Sequence, residues 1–361
     1  MPTDAKHQDL ISSQVSKIAH AADRVTKSFS LSQTFNVQLG PVMKKGSPVT
    51  DDNGQVKYKD KQIIGFKDPG PLTPTINPHY KFPKQDLIMF LMAMSNKDSI
   101  YLQGHSGTGK TAMVNQIAAR LNYNVVQVNF DGHLLRGDLV GDIKIVNGAT
   151  KFRYGLVPLG FTLPGTILLF DEVDAVAPET AFVLQRAISD DRKMLLHETN
   201  EIFELHPQNC IVATANTSGM GDDSSLYVAG TNVQNFSFQN RWDTVMQIDY
   251  LSPEDEEDVL KKLFPKADGS IIKSVVAVMA SARESFRGGK LSAPLTTRDS
   301  IRWLQKLSMW PLPMMAAEYT FLNRMTTEDA MAVAGVIQRI FRLPKKDSTK
   351  FISSSTSTKR L

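Results

Sequence analysis

Eight consecutive residues have the types and spacing of a phosphate cradle. Gly104-His105-Ser106-Gly107-Thr108-Gly109-Lys110-Thr111 fits the pattern G-x-x-x-x-G-K-[ST]. Glycines let the backbone wrap tightly and turn its N–H groups inward. A helix starting at the last glycine adds partial positive charge where phosphates sit. Lys110 is placed to reach the β- and γ-phosphates, and the Thr111 hydroxyl to bind Mg²⁺. His105 reads as a variable loop residue. A second constellation lies further on, where Ile167-Leu168-Leu169-Phe170 runs into Asp171-Glu172. A carboxylate at the carboxyl end of a buried parallel strand faces the ligand crevice. There Asp171 would hold Mg²⁺, directly or through water. Glu172 would take a proton from a water attacking in line with the γ-phosphate. Asp174, two residues beyond Glu172, reads as a helix-start or interface residue.

These residues need a sheet and helices behind them. The apolar run Ile100-Tyr101-Leu102 supplies a strand before the glycine loop, and Met113, Ile117 and Leu121 line one face of a helix after it. A helix is expected over 84–95. Further strands are expected at Val125 to Phe130, Thr166 to Phe170, Cys210 to Ala215 and Thr244 to Ile248. Pro178 suits the first turn of a helix reaching Ser189. Near-continuous apolar strands separated by helices predict an α/β fold, a parallel sheet covered by helices on both faces. Beyond residue 253 strand signals stop. Helical patterns near 254–264, 271–287, 298–309 and 327–342 predict a smaller α-helical domain.

The flanks are less regular. Residues 1–66 read as an N-terminal arm or small module. Within them Ile11, Val15, Ile18 and Ala22 could share a helical face, and Asn53-Gly54 suits a tight turn between Val49 and Val56-Lys57-Tyr58. Residues 67–83 carry Pro69, Pro71, Pro74, Pro78 and Pro83, an extended connector into the 84–252 core. The helical domain then covers 253–343, and the Lys-, Ser- and Thr-rich residues 344–361 read as a disordered tail. Apolar residues make up 42% and charged residues 22% of the 361, an ordinary globular balance. Net charge is only +4, which argues against a dedicated nucleic-acid binder and leaves room for a local basic surface. The single cysteine, Cys210, lies in an apolar run and allows no intrachain disulfide. No secretory signal and no run of roughly 18 apolar residues is seen, so no membrane association and a cytoplasmic location are expected. The histidines show no metal-ligand spacing, and no Ser-His-Asp or Cys-His arrangement suggests a protease.

The P-loop, the Asp171-Glu172 strand and Ala213-Thr214-Ala215-Asn216-Thr217 together resemble the AAA+ ATPases. Val128-Asn129-Phe130-Asp131 leading into Asp138-Leu139-Val140-Gly141, and Asn240-Arg241-Trp242, resemble the MoxR group and within it the CobS family, ATPase subunits of aerobic cobaltochelatase. The resemblance covers about residues 75–310. It implies a P-loop AAA+ core followed by an α-helical lid, with ATP and Mg²⁺ as cofactors. Asn216 matches sensor 1, which orients the attacking water, and an amide can donate to phosphate while accepting from water. Arg241 matches the arginine finger that reaches the γ-phosphate held by a neighbouring subunit, or it makes a surface salt bridge. Arg298 resembles sensor 2, with Arg302 one turn on able to share that role. Segments 143–154, around Asn147-Gly148, and 194–205, around Thr199-Asn200, read as two hairpins that either engage partners or decorate the sheet edge. The glycine- and serine-rich stretch from Gly219 to Ser225 reads as a mobile interface loop.

The resemblance thus implies an ATP-hydrolysing subunit of a hexameric ring. Its partners would be a companion protein with a von Willebrand A-type domain and a large chelatase subunit that inserts Co²⁺ into a corrin precursor. Two other readings use the same ATPase residues. One is a MoxR-type chaperone remodelling another partner. The other is a nucleic-acid translocase, for which Lys144, Lys151 and Arg153 on the first hairpin are the only hint. The choice of ATP over GTP also comes from the family.

Overall fold

The computed structural model describes residues 22–40, 42–44, 47–50, 59–130, 134–146, 149–217 and 236–343. The helix expected through Ile11, Val15 and Ile18 lies outside these residues. So do the Asn53-Gly54 and Asn147-Gly148 turns, Asp131, the 219–225 loop and the 344–361 tail. In chain order the strands are β1 (Thr26–Ser30), β2 (Met43–Lys44), β3 (Ser47–Pro48), β4 (Gln62–Phe66), β5 (Ile100–Gln103), β6 (Asn124–Asn129), β7 (Gly141–Val146), β8 (Ala149–Tyr154), β9 (Thr166–Asp171), β10 (Lys193–Leu196), β11 (Glu201–Glu204), β12 (Cys210–Ala215) and β13 (Thr244–Gln247). The described residues of Met1–Pro78, Phe82–His105 and Gly109–Ile248 form one compact unit. Those of His79–Lys81, Ser106–Thr108 and Asp249–Leu361 form a second.

The first unit is built on a five-stranded sheet in the order β13-β5-β12-β9-β6. Every neighbouring pair in it is parallel. Successive strand residues point to opposite faces, so a strand buried at every position is covered on both sides. This holds for β12 throughout and for β9 from Thr166 to Phe170. The edge strand β6 instead alternates buried residues with half-buried or exposed ones. The five strands are those the apolar runs predict, with ends moved by a residue or two. The helices Lys84–Asn96, Lys110–Leu121 and Pro178–Ala187 also fall where the periodicity puts them, the last with Pro178 in its first turn. Met113, Ile117 and Leu121 are all buried.

Two features of this unit were not legible locally. β1 pairs antiparallel with β4, from Thr26 opposite Phe66 to Ser30 opposite Gln62. Phe66 is buried, stacks edge-on against Tyr123 with centroids 4.7 Å apart, and lies under the Arg24 guanidinium at 4.3 Å. Before the segment of the expected 49–58 hairpin, which lies mostly outside the described residues, the short pair β2–β3 is closed by a bond from the Val49 amide to the Val42 carbonyl. The proline-rich connector forms no helix or strand between Phe66 and Lys84. It is pinned to the helix Lys110–Leu121. Gln116 Oε1 accepts from the Asn77 amide at 2.7 Å, Gln116 Nε2 donates to the Thr75 carbonyl at 3.1 Å, and Arg120 donates to the Asn77 carbonyl at 2.9 Å.

The second unit is helical: Pro253–Leu263, Gly269–Arg287, Thr297–Met309, Pro313–Glu318 and Thr327–Phe341. Ser252, Asp268, Thr296 and Thr326 each accept a bond from an amide of the first turn, the usual way to satisfy orphan helix donors. Trp303 and Phe321 meet edge-on at the centre of its core. Helix Pro313–Glu318 was not expected. Six residues, most of them apolar, carry too little periodicity to read. Among the described residues no helix is long and apolar enough to cross a membrane.

Candidate functional site

The carboxyl ends of β5, β9 and β12 bring the chemistry together. β5 ends at Gln103 and the glycine loop follows. Gly107 has φ +78° and Gly109 φ +94°, a left-handed backbone that a side chain would strain. The helix starts at Lys110, whose side chain is buried and folds back over the loop. Its Nζ donates to the carbonyls of Gly104 and His105 and to Asn216 Oδ1 at 3.2 Å. Burial lowers the Lys110 ammonium to about 8, with the charges of Asp174, Asp171 and Glu172 opposing the shift.

Asp171 is the hub of the first unit's site. Its Oδ1 accepts from Thr111 Oγ1 at 2.7 Å and from the Thr214 hydroxyl, and its Oδ2 accepts from Gln127 Nε2 at 2.9 Å. Thr214 also accepts from the Glu172 amide at 3.1 Å, so one hydroxyl ties β12 to the Asp171 carboxylate and to the Glu172 backbone. Register explains Gln127, since β6 lies beside β9 with Asn129 opposite Asp171. Hard oxygens on Thr111 and Asp171, already converged, are the donor chemistry a Mg²⁺ ion takes alongside phosphate oxygens. The residues therefore fit that ion.

Glu172 leaves the sheet at φ 58°, the left-handed region, where a non-glycine residue costs roughly 1–3 kcal/mol and signals a constrained site. Its side chain remains exposed. Partial burial, then the neighbouring charges of Asp171 and Asp174, push its carboxyl upward, with Lys110 opposing. A raised carboxyl is a better proton acceptor near neutral pH.

Asp174 corrects one expectation. It does stand in the first turn of a helical segment, the 3₁₀ turn Val173–Ala175, but it faces inward and not toward an interface. It is fully buried and accepts from the Asn216 and Thr217 amides. The strand pattern had only shown where Asp174 falls in sequence, and the end of β12 that it grips lies far along the chain. Thr214, Gln127 and Asp174 are the side chains that residue spacing missed. The signal for Thr214 was a lone hydroxyl in an apolar strand. For Gln127 there was none.

Arg241 lies half-buried on the turn after the short helix Phe236–Gln239 and bonds to Gln185 at 3.3 Å and to the Ser237 carbonyl and hydroxyl at 2.8 and 2.7 Å. These bonds do not join it to Lys110 or Asp171. The neighbouring Trp242 is buried against Tyr101 and Phe238 and anchors that turn. In the second unit Arg298 is exposed in the first turn of its helix, as is Arg302 one turn on. Cys210 is buried in β12, and burial pushes its thiol up to about 12, so it is chemically inert.

Both expected hairpins form, β7 with β8 and β10 with β11. They touch through Tyr154, whose hydroxyl donates to Glu201 at 2.6 Å and whose ring packs on Phe203. Ile143 and Ile145 stand out at 60% and 81% exposure, and Ile202 at 64% beside its cross-strand partner Leu195. Lys144 and Arg153 are both drawn to Asp142, at 2.6 and 3.4 Å.

A glycine loop between strand and helix, with a carboxylate strand beside it in a parallel sheet, defines a P-loop nucleoside triphosphatase fold. The AAA domain family of the dynein-related subfamily matches residues 99–229. Aerobic cobaltochelatase subunit CobS of a Sinorhizobium species is 31% identical over 296 residues, covering 80% of this chain and 89% of that protein. Protein CbbQ of Hydrogenophilus thermoluteolus is 24% identical over 259 residues, 71% of this chain and 92% of CbbQ. A segment of von Willebrand factor A domain-containing protein 8 of Mus musculus is 26% identical over 255 residues, 63% of this chain and 13% of that protein. The chain belongs to the AAA+ ATPases, in their MoxR group, and is related to CobS.

Proposed function

We propose that the chain is the Mg²⁺-dependent motor subunit of an ATP-hydrolysing ring that remodels a partner protein. The observation that carries this reading is the convergence of Lys110, Thr111, Asp171 and Asn216, with Glu172 exposed beside them. In this reading the loop Gly104–Thr111 cradles the triphosphate, and Lys110 exchanges its carbonyl contacts for phosphate oxygens. Thr111 and Asp171 hold Mg²⁺, which when bound neutralises phosphate charge. Asn216 orients the attacking water and Glu172 takes its proton. Arg241, bonded to Gln185 and Ser237, serves the neighbouring subunit's nucleotide in a hexameric ring, and Arg298 acts as sensor 2. Residues 84–252 are the motor core and 253–343 the lid that responds to turnover.

The two hairpins are the elements that face the partner. Their exposed isoleucines, and the pairing of Lys144 and Arg153 with Asp142, favour a protein over a nucleic acid. Relatedness to CobS supports a chelatase motor working with a von Willebrand A-type companion and a large subunit that inserts Co²⁺ into a corrin precursor. A relative named for a von Willebrand A domain points the same way.

The test is ATP turnover and particle mass by light scattering for wild type and Glu172→Gln. Turnover in wild type, falling about 10²–10⁴-fold in Glu172→Gln while ATP binding persists, is the expected result. The trapped ring then captures its companion. A chain that stays monomeric and idle with Mg·ATP sinks the ring motor. DNA binding that weakens steeply with salt replaces the protein-remodelling reading with a translocase.

A further inference from the structure

Asp174 has no exposed surface and sits in the 3₁₀ turn Val173–Ala175 that begins directly after Glu172. Three donors converge on its Oδ2: the amides of Asn216 and Thr217, both at 2.9 Å, and the Thr217 hydroxyl at 3.0 Å. Its Oδ1 has no hydrogen-bond partner among the described residues. A buried carboxylate with one oxygen unsatisfied carries a desolvation cost that a merely space-filling residue would not. All three bonds go to the segment that carries Asn216, and bonds to a charged acceptor are about twice as strong as neutral ones. That segment holds the Asn216 amide oxygen 3.2 Å from Lys110 Nζ. Tyr101 braces it from the other side, its hydroxyl donating to the Thr217 carbonyl at 3.4 Å.

We propose that Asp174 is a positioning residue for hydrolysis: one side chain fastens the Glu172 turn to the end of β12 and so sets where Asn216 stands relative to Glu172 and Lys110. The inference rests on the reading that Glu172 and Asn216 act on the attacking water. Asp174 is fully buried, and its effect passes through the backbone of residues 216–217. Misplacing a water-orienting group by an ångström can lower a rate by about 10²-fold without weakening substrate binding.

Two measurements test this on the full-length chain, Asp174→Ala and Asp174→Asn being compared with wild type after melting curves show which variants are folded. The first is hydrogen exchange of the Asn216 and Thr217 amides by NMR, which does not require ATPase activity. Exchange should be at least about 10-fold faster in Asp174→Ala, with Asp174→Asn, which keeps one acceptor oxygen, in between. The second is ATP turnover with a double-variant cycle. The kcat of Asp174→Ala should fall by about 10²-fold with KM for ATP within about threefold, and Asp174→Asn should recover part of it. Adding Asn216→Ala to Asp174→Ala should cost little beyond Asn216→Ala alone, because both remove the same function. Unchanged amide exchange in a folded variant overturns the proposal. So does a full multiplication of the two losses, which would place Asp174 on a separate task. If Asp174→Ala does not fold, Asp174→Asn carries both readouts. An idle wild-type chain defeats the ATPase reading alone, and the exchange measurement then decides whether Asp174 holds the segment.

Discussion

Glu256 in the helical unit and Asp174 in the α/β unit are both carboxylates without exposed surface, and they are held in opposite ways. Glu256 receives a bidentate fork from Arg283, at 2.7 and 2.9 Å, and a bond from the Ser300 hydroxyl. Arg283 is itself used up, donating its Nε to the Leu295 carbonyl at 2.8 Å and lying 4.6 Å over the Tyr250 ring. Every partner there is a scaffold residue. Among the described residues Asp174 has no such fork, leans on backbone amides and the Thr217 hydroxyl, and leaves Oδ1 without a hydrogen-bond partner. The difference separates a charge buried to hold a core from a charge buried to hold a residue of the site. Completeness of satisfaction marks the first, and donors supplied by a candidate catalytic segment mark the second.

The comparison can be broken at several points. The largest stability effect belongs to Arg283→Ala, which strands Glu256 and should lower unfolding free energy by about 3–5 kcal/mol in urea titration. The paired change Arg283→Met with Glu256→Leu should restore most of that loss, since apolar replacements of a buried pair are often neutral. A pair as unstable as the single variant would mean the site depends on charge after all. Asp174→Ala should come next, at about 1–3 kcal/mol in the same titration, for amides left without an acceptor. A cost as large as that of Arg283→Ala would make Asp174 a scaffold residue and erase the contrast.

A pH experiment sharpens it further. The Lys110 ammonium sits at about 8 instead of 10.5 because of burial. Below about 8 both folded and unfolded chains carry its charge, and folding bears the full desolvation penalty. Between about 8 and 10.5 the folded chain has released a proton that the unfolded chain keeps. The contribution of Lys110 to stability, wild type minus Lys110→Met, should therefore rise with pH across that window. Urea titrations at about pH 7 and about pH 9.5 would check it. Nucleotide binding should run the other way and weaken above about pH 8, as the charge that meets phosphate is lost. The smallest effect is expected at the surface. Lys144→Ala, removing one of two cations from Asp142, should change stability by less than about 0.5 kcal/mol, and less still in high salt.

The phosphate loop, the Asp171-Glu172 strand end, five core strands and all seven described helices of ten or more residues were legible because each rests on a local pattern. Glycine spacing, a period of two or of 3.6, and a carboxylate at the end of an apolar run are all properties of neighbouring residues. What was not legible depends on residues far apart in sequence. The β1–β4 ladder joins Thr26–Ser30 to Gln62–Phe66 across a connection whose length no local pattern encodes. That Asp174 is buried and faces no interface was not legible, because its partners, Asn216 and Thr217, lie just beyond β12, far along the chain.

By itself, then, the order of residues determined which side chains are chemically able to handle a triphosphate and which segments are strand or helix. Only the tertiary structure decided the sheet order β13-β5-β12-β9-β6, and with it that β12 lies between β5 and β9. That placement puts Thr214 on Asp171, Asn216 on Lys110 and Asp174 under the Asn216 amide. The physical reason is that hydrogen bonds act over about 3 Å in space, whatever the separation along the chain.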